Sequence, residues 1–184
     1  MRIYTRKGDT GRTSLWGGRR VGKDELRIEA IGSVDECNAA IGVALAHGVP
    51  EPVAVVLRTV QDTLFVVGSE LMAPDRSGPG ASVPRLSGQE TRHLEQVIDE
   101  LEAGLPPLRN FVLPGGGIAA AHLHLARTVC RRAERRATAL SRAEEVGAEV
   151  LTYLNRLADL LFVVARHVNH VAGVVDVPWR NPAR

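Results

Sequence analysis

Residues 150–170 read VLTYLNRLADLLFVVARHVNH, and this stretch limits the fold more than any other. Apolar residues fill most of the circumference of a helix drawn through it, so such a helix must sit deep among other helices. Its polar residues fall on one narrow stripe, Asn155, Asp159 and Arg166, with Thr152 and Arg156 beside it. Polar groups on so apolar a helix need partners once buried. The stripe is therefore either an internal network that fixes the register of a bundle or the lining of a cleft at a subunit boundary.

Four more helical stretches precede this one, which itself is expected from about Ala143 to Ala172. Ser33 followed by Glu36 has the form of a capping box and opens a helix running to about His47. The next runs from about Pro52 to Met72, with Val56, Val60, Leu64 and Val67 at helical spacing. Ser87 and Glu90 form a second capping box, and that helix ends near Gly104, before Pro106 and Pro107. The fourth follows FVLPGGG and spans roughly 118–141. No run reads as a convincing strand. The expected fold is all-α, an antiparallel five-helix bundle with a four-helix-bundle core. The scarcity of aromatics, 4 % of 184 residues, suits helix-on-helix packing better than a β-sandwich. One domain accommodates the whole chain, with residues 1–27 an extended, glycine-hinged segment, 28–173 the bundle and 174–184 a loosely held tail.

Net charge is only +2, from 23 basic and 21 acidic residues, so positive charge is local and wholesale coating of nucleic acid is not implied. Cys37 and Cys130 are too few and too isolated for a zinc site or a disulfide framework, and read as buried thiols. The start, MRIYTRKGD, lacks the apolar run of a signal peptide, and no stretch approaches the ~20 apolar residues that cross a bilayer. A soluble, cytoplasmic protein with no membrane partner is expected.

Local charge concentrates in ARTVCRRAERRA, residues 126–137. Like charges at i, i+4 and i+8 destabilise a helix unless something answers them. On a wheel, Arg127, Arg131, Glu134 and Arg135 share one face, Ala126, Val129, Ala133, Ala137 and Leu140 another, and Arg132 and Arg136 lie between. A solvated face usually mixes Lys with Glu; this one is Arg with a single acid. The guanidinium fork fits carboxylate and phosphate oxygens, so the face suits a polyanion or an acid from a partner subunit.

Two segments carry phosphate signals. GGRRVGK, residues 17–23, has P-loop spacing, but Asp24 stands where the magnesium-binding hydroxyl belongs and no apolar strand precedes it, so a P-loop is rejected. TRKGDTGRTS is a better candidate, because Thr5, Thr13, Ser14, Arg6, Lys7 and a backbone freed by Gly8 and Gly11 could wrap a triphosphate. The loop NFVLPGGG, residues 110–117, places Phe111 just before the arginine helix, either as a core plug, the usual fate of the residue type, or as an exposed apolar tool.

Together YTRKGDTGRTSL, EAIGSVDECNAAIG, NFVLPGGG, ARTVCRRAER and YLNRLADLLF resemble the PduO-type ATP:cob(I)alamin adenosyltransferases, in family order and over nearly the whole chain. The resemblance implies a homotrimer with active sites between subunits. It implies transfer of the 5′-deoxyadenosyl group from ATP, with Mg²⁺, to the cobalt of cob(I)alamin, with a reductase and an adenosylcobalamin-dependent mutase as further partners. Carried over residue by residue, the ATP site comprises Thr5, Arg6, Lys7, Gly8, Thr13, Ser14, Lys23, Arg131, Arg132, Glu134, Arg135 and Asn155. Asp35 and Arg127 match a pair that bridges subunits beside the corrinoid, and Phe111 matches the aromatic that crowds the lower face of the cobalt. The chain departs from the family at Ala158, where a serine is common.

Two other classes fit less well. A di-iron bundle needs two Glu-x-x-His motifs, and this chain has one, Glu90 with His93. A nucleic-acid-binding bundle is disfavoured by near-zero net charge and few aromatics. No residue set for a resident metal, no acid/base pair and no nucleophilic side chain emerges from the sequence.

Overall fold

The computed structural model describes residues 3–74 and 78–180. Residues 1–2, 75–77 and 181–184, which include the ends of the expected N-terminal segment and tail, lie outside the described part. Five helices carry the fold: α1 Leu26–Ala46, α2 Glu51–Met72, α3 Gln89–Ala103, α4 Ile118–Ser141 and α5 Ala148–Val171. In space they follow the order α2, α1, α4, α5, α3, each packed on the next. Small residues let the middle pair approach closely, since Ala126, Cys130, Ala133 and Ala137 are fully buried on α4. Cys37 of α1 reaches the Ala126 carbonyl at 4.0 Å, and Cys130 donates to the Leu154 carbonyl of α5 at 3.3 Å. Both thiols are free and buried, as expected, and the Cys130 thiol is pushed well above its usual pKa by its contact with Cys37 and by burial. Leu57, Leu64, Leu71, Leu123, Leu154, Leu157, Leu160 and Leu161 fill the core, each worth about 1.5–3 kcal/mol of apolar burial.

The boundaries of α1 and α5 differ from expectation. Helix α1 begins at Leu26, about two turns before Ser33. LRIEAIG contains no breaker stronger than one glycine, and Ser33 is a buried mid-helix residue whose hydroxyl donates to the Glu29 carbonyl at 2.9 Å. Helix α5 starts only at Ala148, because the preceding turn is held by Arg27. That guanidinium, 2 % exposed, donates to Glu144 Oε2 at 3.0 Å, the Glu145 carbonyl at 3.2 Å and the Leu71 carbonyl at 2.7 Å. One side chain thus ties together the start of α1, the end of α2 and the α4–α5 turn. At α3 the expected box forms one residue early: Glu90 accepts from the Ser87 backbone N–H at 3.0 Å, while Gly88 takes the cap position at φ 82°. Burial works against the Glu90 carboxylate, but backbone and Ser87 hydroxyl hydrogen bonds hold it below the usual range.

Three further expectations are corrected. A two-stranded antiparallel hairpin is present, β1 Arg12–Ser14 with β2 Arg20–Gly22, in the register Thr13 opposite Val21. Buried Leu15 and Val21 dock it, and the Trp16 N–H donates to the Met72 carbonyl at 3.0 Å. Residues 174–180 are not loose: Leu113 N–H donates to the Val177 carbonyl at 2.8 Å and Trp179 N–H to the Phe111 carbonyl at 2.7 Å. Finally, α2 is long and apolar enough to cross a bilayer by length and composition, with a mean hydropathy of 1.2. It nevertheless carries Glu51, Arg58, Asp62 and buried Glu70, and its apolar face packs on α1.

Candidate functional site

The site residues inferred from sequence fall into three groups. The first is the hairpin and the loop before it. Arg20 clasps the loop, donating to the Lys7 carbonyl at 2.7 Å and the Ser14 hydroxyl at 3.4 Å. Lys23 N–H donates to the Gly11 carbonyl at 2.8 Å, which folds its side chain back over the loop. A Cβ at Gly8 would lie 3.2 Å from Lys23 Nζ, so the ammonium rests close against the Gly8 backbone. Arg6 has φ 62°, the one non-glycine residue with positive φ among those described, and its guanidinium lies 5.5 Å from the Tyr4 ring centroid. A positive φ at a non-glycine residue is uncommon, and it turns the exposed basic segment sharply at this point. Thr13 and Lys23 then open onto a groove of about 700 Å³ floored by α1 and α2, where they meet Trp16, Gly32, Asp35 and Phe65.

The second group lies on the far side of the α1–α4 layer. Glu134 accepts from Asn155 Nδ2 at 2.9 Å and stands 3.9 Å from Arg131 Nη1, so a single carboxylate steadies an amide and a guanidinium that both remain exposed. Arg131 and Arg127 line a groove of about 650 Å³ between α3, α4 and α5, facing Asp159, Phe162 and Glu95. Arg156 closes one end, bonded to Glu95 at 3.0 Å and Asp159 at 2.6 Å. The α5 stripe therefore divides: Arg156 and Asp159 line the cleft, Asn155 holds Glu134, and buried Arg166 serves an internal network. Among the described residues, Arg127 Nε is buried without a hydrogen-bond partner, as is Nδ1 of His124 one turn before it. Burial, then the charge of Arg127, depress the His124 pKa against a weaker pull from Asp176, which keeps the imidazole neutral.

The remaining arginines are placed differently. Arg132 pairs with Glu36, and Arg136 Nε lies 3.3 Å from Glu29. Both acids are on α1, so two of the arginines expected in electrostatic conflict are answered within the chain. Arg135 points to solvent.

The third group is Phe111. It is 78 % exposed, not a core plug, and its ring meets Trp179 edge-on at 6.4 Å beside Leu108 and Arg109. The sequence reading passed over Glu29 and took Glu36 only as a capping residue; the two acids stand seven residues apart and Arg132 and Arg136 four, so each pair shares one helix face and the two faces meet. It also passed over His124, which carries no local signature, and Asn169, which continues the α5 polar stripe at i+3 from Arg166.

Residues 3–168 match the family model described as cobalamin adenosyltransferase. The chain is 44 % identical over 188 residues to a corrinoid adenosyltransferase of Bacillus subtilis (strain 168), covering 100 % of this chain and 94 % of the relative. It is 46 % identical to a cobalamin adenosyltransferase of Cupriavidus metallidurans, covering 97 % and 94 %. Among solved structures it is similar to a variant PduO-type ATP:corrinoid adenosyltransferase from Lactobacillus reuteri complexed with cobalamin and ATP, with a TM-score of 0.91, 35 % identity and coverage of 98 % and 97 %. A second variant of that enzyme, complexed with ATP, gives a TM-score of 0.88 at 35 % identity, covering 97 % and 100 %.

Proposed function

The chain belongs to the cobalamin adenosyltransferase family, and from that premise we propose that it transfers the 5′-deoxyadenosyl group of ATP to cob(I)alamin, releasing triphosphate and forming adenosylcobalamin. The cobalt–carbon bond forms with the electron pair of Co(I), and the C5′–oxygen bond breaks with its pair leaving on the triphosphate. Co(I) is a strong nucleophile and needs no activating base. What the protein supplies is in-line placement of C5′ and stabilisation of the charge that grows on the leaving oxygens.

The observation that carries this reading is the division of the polar site into two unfinished halves in separate grooves of one chain. One holds Thr13, Lys23 and Asp35; the other holds Arg127 and Arg131. Stacking copies head to tail in a closed ring would set the first half of one subunit against the second half of the next, and we take the assembly to be a homotrimer. In it, residues 1–27 wrap the nucleotide: Thr5, Arg6, Lys7, Gly8, Thr13 and Ser14 hold the phosphates with Lys23. Arg131 and Arg135 face the leaving triphosphate, and Glu134 with Asn155 orients Arg131. Arg132 joins them by exchanging Glu36 for phosphate. Asp35 of one subunit meets Arg127 of another beside the corrinoid. No cluster of three or more His, Cys, Asp or Glu suited to a metal exists among the described residues, so Mg²⁺ would arrive on the ATP phosphates, where it neutralises charge.

Exposed Phe111 suits the lower face of the corrin. Occupying that side, it displaces the lower axial ligand and excludes water, which eases one-electron reduction of Co(II) to Co(I) by an external reductase. The product would pass to an adenosylcobalamin-dependent mutase.

The test is anaerobic mixing of the protein with ATP, Mg²⁺ and chemically reduced cobalamin while the corrinoid spectrum is followed. Absence of adenosylcobalamin refutes the reading. Arg131→Ala should lower turnover by about 10²–10³-fold, as loss of a charge-stabilising donor does. Phe111→Ala should slow reaction from Co(II) far more than from pre-reduced Co(I), and equal losses would remove its assigned role.

A further inference from the structure

An aromatic ring that is 78 % exposed gains little rigidity from packing, so its placement must come from its backbone. The backbone on both sides of Phe111 is fastened to one turn of α5. Arg166, 6 % exposed, donates from Nη2 to the Pro106 carbonyl at 2.9 Å, before Phe111. Asn169, 2 % exposed, donates to the Gly115 carbonyl at 3.1 Å and accepts from the Gly117 N–H at 3.0 Å, after Phe111. The chain beyond α5 then returns as a strap. Val174 N–H donates to the Asn169 carbonyl at 2.8 Å, and Asp176 receives Arg166 Nε at 2.8 Å. Trp179 N–H ends the strap on the Phe111 carbonyl itself. Burying a guanidinium and an amide is costly unless every polar group is answered, and these two side chains spend their hydrogen bonds on the loop and strap.

We propose that Arg166, Asp176 and Asn169 are positioning residues for displacement of the corrinoid's lower axial ligand: they form a mount at the end of α5 that holds Phe111 and its strap at the height this displacement requires. The inference rests on the role given to Phe111 above. None of the three touches the nucleotide groove, so they act on ligand displacement and leave adenosyl transfer from Co(I) to the phosphate-binding residues.

Asp176 is the residue to change, because it lies on the strap, outside the helical core. The full-length protein with ATP and Mg²⁺ is assayed twice, with Co(II) cobalamin plus dihydroflavin and with pre-reduced Co(I). Thermal melts and the electron paramagnetic resonance spectrum of bound Co(II) are recorded alongside. Asp176→Ala should lower the Co(II) rate at least tenfold, change the Co(I) rate less than threefold, and shift bound Co(II) from the four-coordinate to the five-coordinate signal. Asp176→Asn, which still accepts from Arg166, should recover most of the four-coordinate signal. Arg166→Met provides a second arm with the same expected split. Equal losses in both assays, or an unchanged Co(II) spectrum in both variants, overturn the mount. If Phe111→Ala itself shows no split, the Phe111 role has failed, whereas a split there with none in Asp176→Ala rejects only the mount.

Discussion

Gly116→Ala should be the most destabilising single-methyl change in the loop that carries Phe111. Gly116 has φ 101°, a region that L side chains rarely adopt, and holding alanine there costs about 1–3 kcal/mol. The added Cβ would also lie 2.6 Å from Asn169 Cγ and nearer still to both amide heteroatoms. Asn169 is 2 % exposed and has no space into which to retreat, so its bonds to Gly115 and Gly117 must break. Each is worth about 1 kcal/mol net, and an amide left buried without partners costs about 1–3 kcal/mol instead. The total is roughly 3–5 kcal/mol. For a chain of this size a kilocalorie moves Tm by about 2–4 °C, so a fall of about 6–20 °C is expected in calorimetry at fixed protein concentration. Gly115→Ala is the matched control: its Cβ would meet nothing within 4 Å and its φ is not positive, so its effect should stay below about 1 kcal/mol. Equal Tm shifts for the two variants, or a Gly116→Ala shift under ~2 °C, would refute the claim that the Asn169 amide is a rigid anchor for this loop.

Two further outcomes follow from the charges. His124 and His167 both have depressed pKa values, His124 through burial and Arg127, His167 through burial and His170. Below the ordinary histidine value of about 6.5 the unfolded chain takes up protons that the folded chain refuses, so stability rises with pH through that window and levels off above it. Tm should therefore fall between pH 7.5 and pH 5.5, and the fall should shrink in His124→Gln; an unchanged fall would mean that His124 does not stay neutral. Arg136→Ala should cost under about 1 kcal/mol, because its Glu29 pair is half exposed, and should leave turnover and the ATP KM within about twofold, whereas Arg131→Ala lowers turnover by orders of magnitude. A large rise in KM would instead place Arg136 in the nucleotide site.

What could be read from the sequence was whatever periodicity and motif encode. Helix α4 runs close to its expected limits because FVLPGGG breaks before it and an apolar stripe continues through Leu140. Helix α1 was misplaced because a serine followed by glutamate signals a start only when the chain before it is not already helical; tertiary contacts of Arg27 had settled that earlier turn. The hairpin escaped because three-residue strands built around arginine and glycine carry no hydrophobic alternation, and only Leu15 and Val21 reach the core. The strap escaped for a related reason. Its hydrogen bonds are backbone to backbone, apart from Arg166 with Asp176, and backbone pairing at long range leaves no mark on composition.

The arginine helix shows how a charge pattern is divided by position rather than by residue type. Arg132 and Arg136 lean toward α1 and meet Glu36 and Glu29, and such half-exposed pairs contribute little energy but remove the like-charge repulsion along that edge. Arg127 and Arg131 lean toward the groove with α5 and α3, where the carboxylates Asp159 and Glu95 are already engaged by Arg156. Glu134 stands 3.9 Å from Arg131 and is shared with Asn155, which orients the guanidinium without neutralising it fully. Arg127, whose buried Nε meets no hydrogen-bond partner among the described residues, remains in deficit on the same side. The positive field of α4 is therefore cancelled on one edge and left standing on the other. An incoming anion is attracted first to the edge that opens onto the groove, and reaches Arg132 only by displacing Glu36.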